Sequence, residues 1–98
     1  MTTFILRVEL HNAVAADYDK LHVQMQARGF TRTIKSDDGT VYDLPPAEYH
    51  FVGNQTRLQV LELAKAAAAA VKPSYAVLVS QYEGATWYGL SKTALRKV

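Results

Sequence analysis

Glu9 and His11 stand two residues apart near the end of an alternating segment, "TFILRVEL", residues 3–10. In a strand that spacing puts both on one side, opposite the row Phe4, Leu6, Val8 and Leu10. A carboxylate and an imidazole so placed have the types needed for a general base and a general acid. The plainer reading is two polar residues on a water-facing strand. The remaining histidines carry less. His22 follows Leu21 in a helical pattern and His50 lies between Tyr49 and Phe51, and neither spacing is that of a zinc motif, so both read as structural. Asp37, Asp38 and Asp43 of "SDDGTVYDLPP" lack the spacing and the closing glutamate of a calcium loop. Asp-Gly between β-rich runs is instead a hairpin turn with no bound metal.

These residues need elements to hold them. Beyond the first strand, Tyr18, Leu21 and Met25 recur at helical spacing, which predicts an amphipathic helix over about Val14 to Arg28, stopped by Gly29 with Phe30 folding back. "TRTIK" and "TVYDL" form the hairpin around "SDDG", Pro45 and Pro46 mark a bend, and "AEYHFVG" is a further strand. "TRLQ", residues 56–59, fits a capping box. The helix it opens carries the stripe Leu58, Leu61, Ala64, Ala68 and Val71 and ends near Lys72, ahead of Pro73. Alanines in "KAAAAAVK" favour the helix and let it sit close to a sheet. "SYAVLVSQY" is the most apolar strand, "ATWYGL" a short last one, and Lys92, Arg96 and Lys97 a basic tail. The order of elements predicts one α+β domain over residues 1–98: a ferredoxin-like βαββαβ sandwich, an antiparallel sheet with two helices on one face.

Composition narrows the partners. Eleven basic against nine acidic side chains, a net charge of +2, permit RNA without demanding it. The absence of cysteine removes disulfide and thiolate chemistry. The N-terminal stretch is unlike a signal peptide and no segment approaches a membrane span, so the expectation is a cytoplasmic protein without membrane contact and without a cofactor. Tyr49, Phe51, Tyr75, Tyr82, Trp87 and Tyr88 could stack bases, but "AEYHFVGN" lacks the glycine and basic residue of the RRM signature, which makes most of them core or interface.

The length, "TTFILRVEL", the helix ending in "GF", the hairpin "SDDGTVYDL", "AEYHF" and the capping box together resemble the GhoS-type antitoxins of type V toxin-antitoxin systems over almost the whole chain. The resemblance implies a fold similar to the small CRISPR-associated endoribonucleases and cleavage of the single-stranded mRNA of a small membrane toxin. Glu9 stands where that family has a carboxylate at the end of the first strand, and Lys20 and His22 stand where members carry arginines on the first helix. Metal-free RNA cleavage needs a base, an acid and a cation. Under this reading Glu9, His11 and His22 are the catalytic groups, and Arg7, Lys20 and Arg28 hold the RNA. The alternative is a noncatalytic phage or mobile-element interaction module that forms a homodimer through a sheet edge or the aromatic end of the chain, with Trp87 and Tyr88 as anchors.

Overall fold

The alternation of the first segment is realised as β1 (Thr2–Leu10), whose residues Phe4, Leu6, Val8 and Leu10 are all buried in the computed structural model, which describes residues 1–93. After it come α1 (Ala15–Gln26), β2 (Thr33–Lys35), β3 (Val41–Asp43), β4 (Glu48–Gly53), α2 (Arg57–Ala69) and β5 (Tyr75–Tyr82). β1 is the middle strand of the sheet β4-β1-β5 and runs antiparallel to both neighbours, with Leu6 opposite Tyr49 on one side and Val79 on the other. β4 and β5 therefore run parallel to each other with β1 between them, and α2 is the crossover that joins them. The returning arm after α1 reaches the outer edge of β4 at Thr31, which exchanges two backbone bonds with His50 (2.9 and 2.8 Å). This is the ferredoxin-like arrangement, α+β, with its second strand reduced to a bridge.

Both helices cover one face. Leu21 and Met25 of α1 and Val60, Ala64, Ala67 and Ala68 of α2 share one cluster with Phe4, Leu6, Val8, Tyr49 and Phe51. Fully burying one such large side chain contributes about 1.5 to 3 kcal/mol. The "GF" stop is a Schellman turn: Phe30 N–H donates to the Met25 carbonyl (3.1 Å), Gly29 N–H to that of Gln26 (3.1 Å), and Gly29 has φ +92°. α2 opens on the expected reciprocal cap, Gln59 N–H to Thr56 Oγ1 (3.1 Å) and Thr56 N–H to Gln59 Oε1 (2.8 Å). Pro45 to Glu48 make a turn closed by Glu48 N–H to the Pro45 carbonyl (3.1 Å), with Ala47 at φ 74°. The positive φ at its third position is the type II geometry.

The structure departs from the sequence expectations in three places. The stripe of α2 is rotated: Val60 and Ala67 are buried, Leu58 is exposed and Leu61 is half-buried toward β5. Small residues let the helix approach the sheet, and the bulkier leucines are left at its margin. β2 and β3 form their own two-stranded sheet, held to the main sheet through the bridge at Thr31. "ATWYGL" is not a strand. The chain instead crosses to β3, where Asp43 N–H bonds the Ser91 carbonyl (2.8 Å), Thr93 N–H bonds that of Val41 (2.9 Å), and Trp87 meets Tyr42 edge-on at 5.4 Å. A tertiary aromatic contact thus takes the segment that local propensity assigned to a short last strand. Of the basic tail, Arg96 and Lys97 lie outside the described residues.

Ala68 has no accessible surface, so Ala68→Leu is expected to overpack the helix-to-sheet contact and cost about 1 to 3 kcal/mol, read as a lower urea midpoint at unchanged slope.

Candidate functional site

The face of the sheet away from the helices carries the odd row of β1. Thr3, Ile5, Arg7 and Glu9 lie between Val52, His50 and Glu48 of β4 and Tyr82, Ser80, Leu78 and Ala76 of β5. Successive members of the row stand about 6.8 Å apart. His11 continues it just past the strand, where its N–H donates to the Ser74 carbonyl (3.1 Å) before Asn12 turns the chain at φ 56°. At this level β4 has already bent away through Pro45, and the hydroxyl of Tyr18 on α1 accepts the Leu10 N–H instead (3.0 Å).

Three groups meet at this end. His11 Nε2 lies 4.0 Å from Glu9 Oε1, with side-chain exposures of 44% and 58%. His11 Nδ1 is 2.7 Å from Ser74 Oγ, which fixes the ring with Nε2 toward the carboxylate. Arg7, one step back along the row, pairs with Glu48 at 3.4 Å. At 4.0 Å the carboxylate does not bond the ring, so Ser74, His11 and Glu9 are not a nucleophile triad. Glu9 and His11 present an exposed carboxylate and imidazole, with the Arg7–Glu48 ion pair one step back along the row. Ser74 was missed in the sequence because it lies 63 residues from His11, and only the β1–β5 register brings them together.

The other expected site residues sit elsewhere. His22 is on the helix side of the sheet, its Nδ1 2.6 Å from the hydroxyl of buried Tyr49. Burial first, and then the positive charge of Arg32, lower its pKa, so it is a neutral ring at neutral pH. Burial raises the pKa of the Tyr49 hydroxyl above its ordinary value. Lys20 is exposed on α1, and Arg28 turns back on its own helix, donating to the Gln24 carbonyl and to Gln24 Oε1 (both 2.9 Å). The structure therefore brings together Glu9, His11 and Arg7, and does not bring His22, Lys20 or Arg28 to them. His50 faces the open side and is hydrogen-bonded to the Tyr82 hydroxyl across β1, with burial lowering its pKa.

Both depressed histidines bear on stability. An unfolded histidine takes a proton near its ordinary value of 6.5, so these two stabilise the fold fully above that pH and lose their contribution as pH falls below it. Urea midpoints are expected to drop between pH 7.5 and 5, and a His22→Gln, His50→Gln double variant to show a flatter profile; equal slopes in the two proteins would contradict this.

The acidic turn is occupied by its own hydrogen bonds. Asp38 accepts from the Ser36 hydroxyl and from Thr40 N–H (2.9 Å), which hold its carboxyl at about 2. Asp43 accepts from the Thr93 hydroxyl (2.7 Å). Beside this turn, a groove of about 430 Å³ opens among Tyr42, Tyr82, Trp87, Lys35, Asp37 and Glu83. Thr3 also lines it, which puts it at the opposite end of β1 from Glu9, about 20 Å away along the strand.

No protein-family model matches the chain, and no curated protein matches its sequence. What the open face can do follows from its own groups. A carboxylate and a guanidinium stand on β1 with an imidazole just past its end, and aromatic rings lie at the far end of the same face. Among the described residues no helix is long and apolar enough to cross a membrane.

Proposed function

We propose that the chain is an endoribonuclease that works on single-stranded RNA laid across the open face of the sheet. The observation that carries this is the exposed Glu9–His11 pair, held by Ser74 and flanked by Arg7. Glu9 takes the proton of a ribose 2′-hydroxyl, and O2′ attacks the adjacent phosphorus. Protonated His11 gives its Nε2 proton to the departing 5′-oxygen as the P–O5′ bond breaks. Arg7, released from Glu48 by the incoming phosphate, balances the charge of the pentacoordinate state. The products are a 2′,3′-cyclic phosphate and a 5′-hydroxyl. Base, acid and cation are all side chains, so the step needs no metal. The groove at Trp87 and Tyr42 gives a base further along the strand a surface to stack on.

The sequence resemblance extends the proposal to biology: the RNA is the message of a small membrane toxin, and the protein is a cytoplasmic antitoxin. The deciding experiment incubates wild-type protein with cellular RNA in the presence of a chelator and analyses the product ends. Cyclic phosphate ends in undiminished yield are expected. Cleavage that stops with the chelator would replace the mechanism, and no cleavage of any RNA would leave the interaction module as the better reading.

A further inference from the structure

Among the described residues no strand pairs with the outer edge of β5. Its eight residues, "YAVLVSQY", include no proline and no charge, two of the devices that normally blunt a free edge. The bond from His11 N–H to the Ser74 carbonyl shows which way each residue points. Residues 74, 76, 78, 80 and 82 exchange bonds with β1, so Tyr75, Val77, Val79 and Gln81 direct theirs outward. Apolar side chains flank this edge on both sides. Leu78 is 64% exposed on the open face, and Leu58, 66% exposed, stands with Leu61 over Val77 and Val79 on the helix face.

We propose that this edge is a homodimer interface in which two β5 strands pair antiparallel about a twofold axis at Leu78. The occupant is a second copy because the edge is its own complement. Residues opposite each other in an antiparallel pair share a face, so a strand pairing with itself must match odd with odd and even with even. Setting Val77 against the partner's Val79, and Tyr75 against the partner's Gln81, engages every outward backbone group of the strand. Leu78 then faces the partner's Leu78 at the close, non-hydrogen-bonded spacing of about 4.5 Å between Cα atoms. With no charge in the strand, no like charges are brought together, and Leu58 and Leu61 extend the contact on the helix side. The interface is isologous and closes at two subunits. It yields one continuous sheet with both open faces on the same side and the two Glu9 residues about 20 Å apart by strand spacing and rise. The inference stands whether or not the protein cuts RNA.

Sedimentation of the full chain over a range of concentrations up to about 100 µM tests it. The wild type is expected to be a dimer. Leu78→Lys, at an exposed position that leaves the fold intact, is expected to raise the dissociation constant about a hundredfold through like charge at the axis, and Leu78→Glu likewise. Mixing the two variants is expected to restore the dimer, since lysine then faces glutamate. A monomeric wild type, as when another segment or a foreign strand takes the edge, overturns the proposal. So does a dimer as tight in Leu78→Lys, or a mixture that fails to pair.

Discussion

Glu9→Gln is expected to lower RNA cleavage by about 10²- to 10⁴-fold while leaving thermal stability where it was. The amide keeps the size and exposure of the side chain, so the fold has no reason to respond, but it cannot accept the 2′-hydroxyl proton. His11→Ala is expected to fall in the same range by removing the acid. His22→Ala should behave in the opposite way. It leaves the Tyr49 hydroxyl without its partner, for a loss of about 1 to 3 kcal/mol of stability, and changes the cleavage rate little because the ring lies across the sheet from Glu9. Single-turnover cleavage beside denaturation curves for the three variants separates these outcomes. Wild-type cutting by folded Glu9→Gln would remove the open face from the mechanism, and slow cutting by folded His22→Ala would bring the helix side into it.

Phe30→Ala is expected to cost about 3 to 5 kcal/mol, a large share of the 5 to 15 typical of a small domain. The ring is buried, lies 4.9 Å from that of Phe51, and joins through it to Phe4 at 6.1 Å. The same residue closes α1 with its N–H, so its ring and its backbone hold the turn from two sides. Neighbouring Gly29 resists substitution through its backbone, since φ +92° strains any side chain, while a Cβ there would make only an ordinary contact with Phe51 at 3.4 Å. Urea unfolding gives the number. A loss below about 1 kcal/mol would mean that the aromatic cluster repacks without this ring.

Features decided within a few residues were legible in the sequence. The alternation of β1, the Gly29–Phe30 stop and the Thr56–Gln59 cap are each set by local sterics and hydrogen bonding, and each is present. The Asp-Gly turn is present as well, with Gly39 at φ 90°. Features that depend on a partner far along the chain were not legible. Trp87 contacts Tyr42, which no local preference of "ATWYGL" indicates. The rotation of α2 comes from how closely Ala64, Ala67 and Ala68 approach β1 and β5, since a hydrophobic stripe read from sequence favours leucine over alanine by size. In the candidate site the Glu9–His11 spacing was readable, whereas Ser74 beside His11 and Tyr49 beside His22 depend on strand register and helix placement. His22 is the instructive case. The family resemblance set a cation at its position, and the structure surrounds it with a tyrosine hydroxyl and an arginine, an environment that keeps the ring uncharged.

The position of β1 between two partners has a consequence for how the protein fails. A strand bonded along both edges opens only when the whole domain does, so the backbone amides from Phe4 to Glu9 belong to its slowest-exchanging set in deuterium. Arg7 and Glu9 project from that same segment. The two groups of the proposed site that β1 carries thus sit on the last part of the molecule to loosen, and on warming their placement on the open face should persist up to the global transition, whereas His11, just past the strand end, is held by its bond to Ser74.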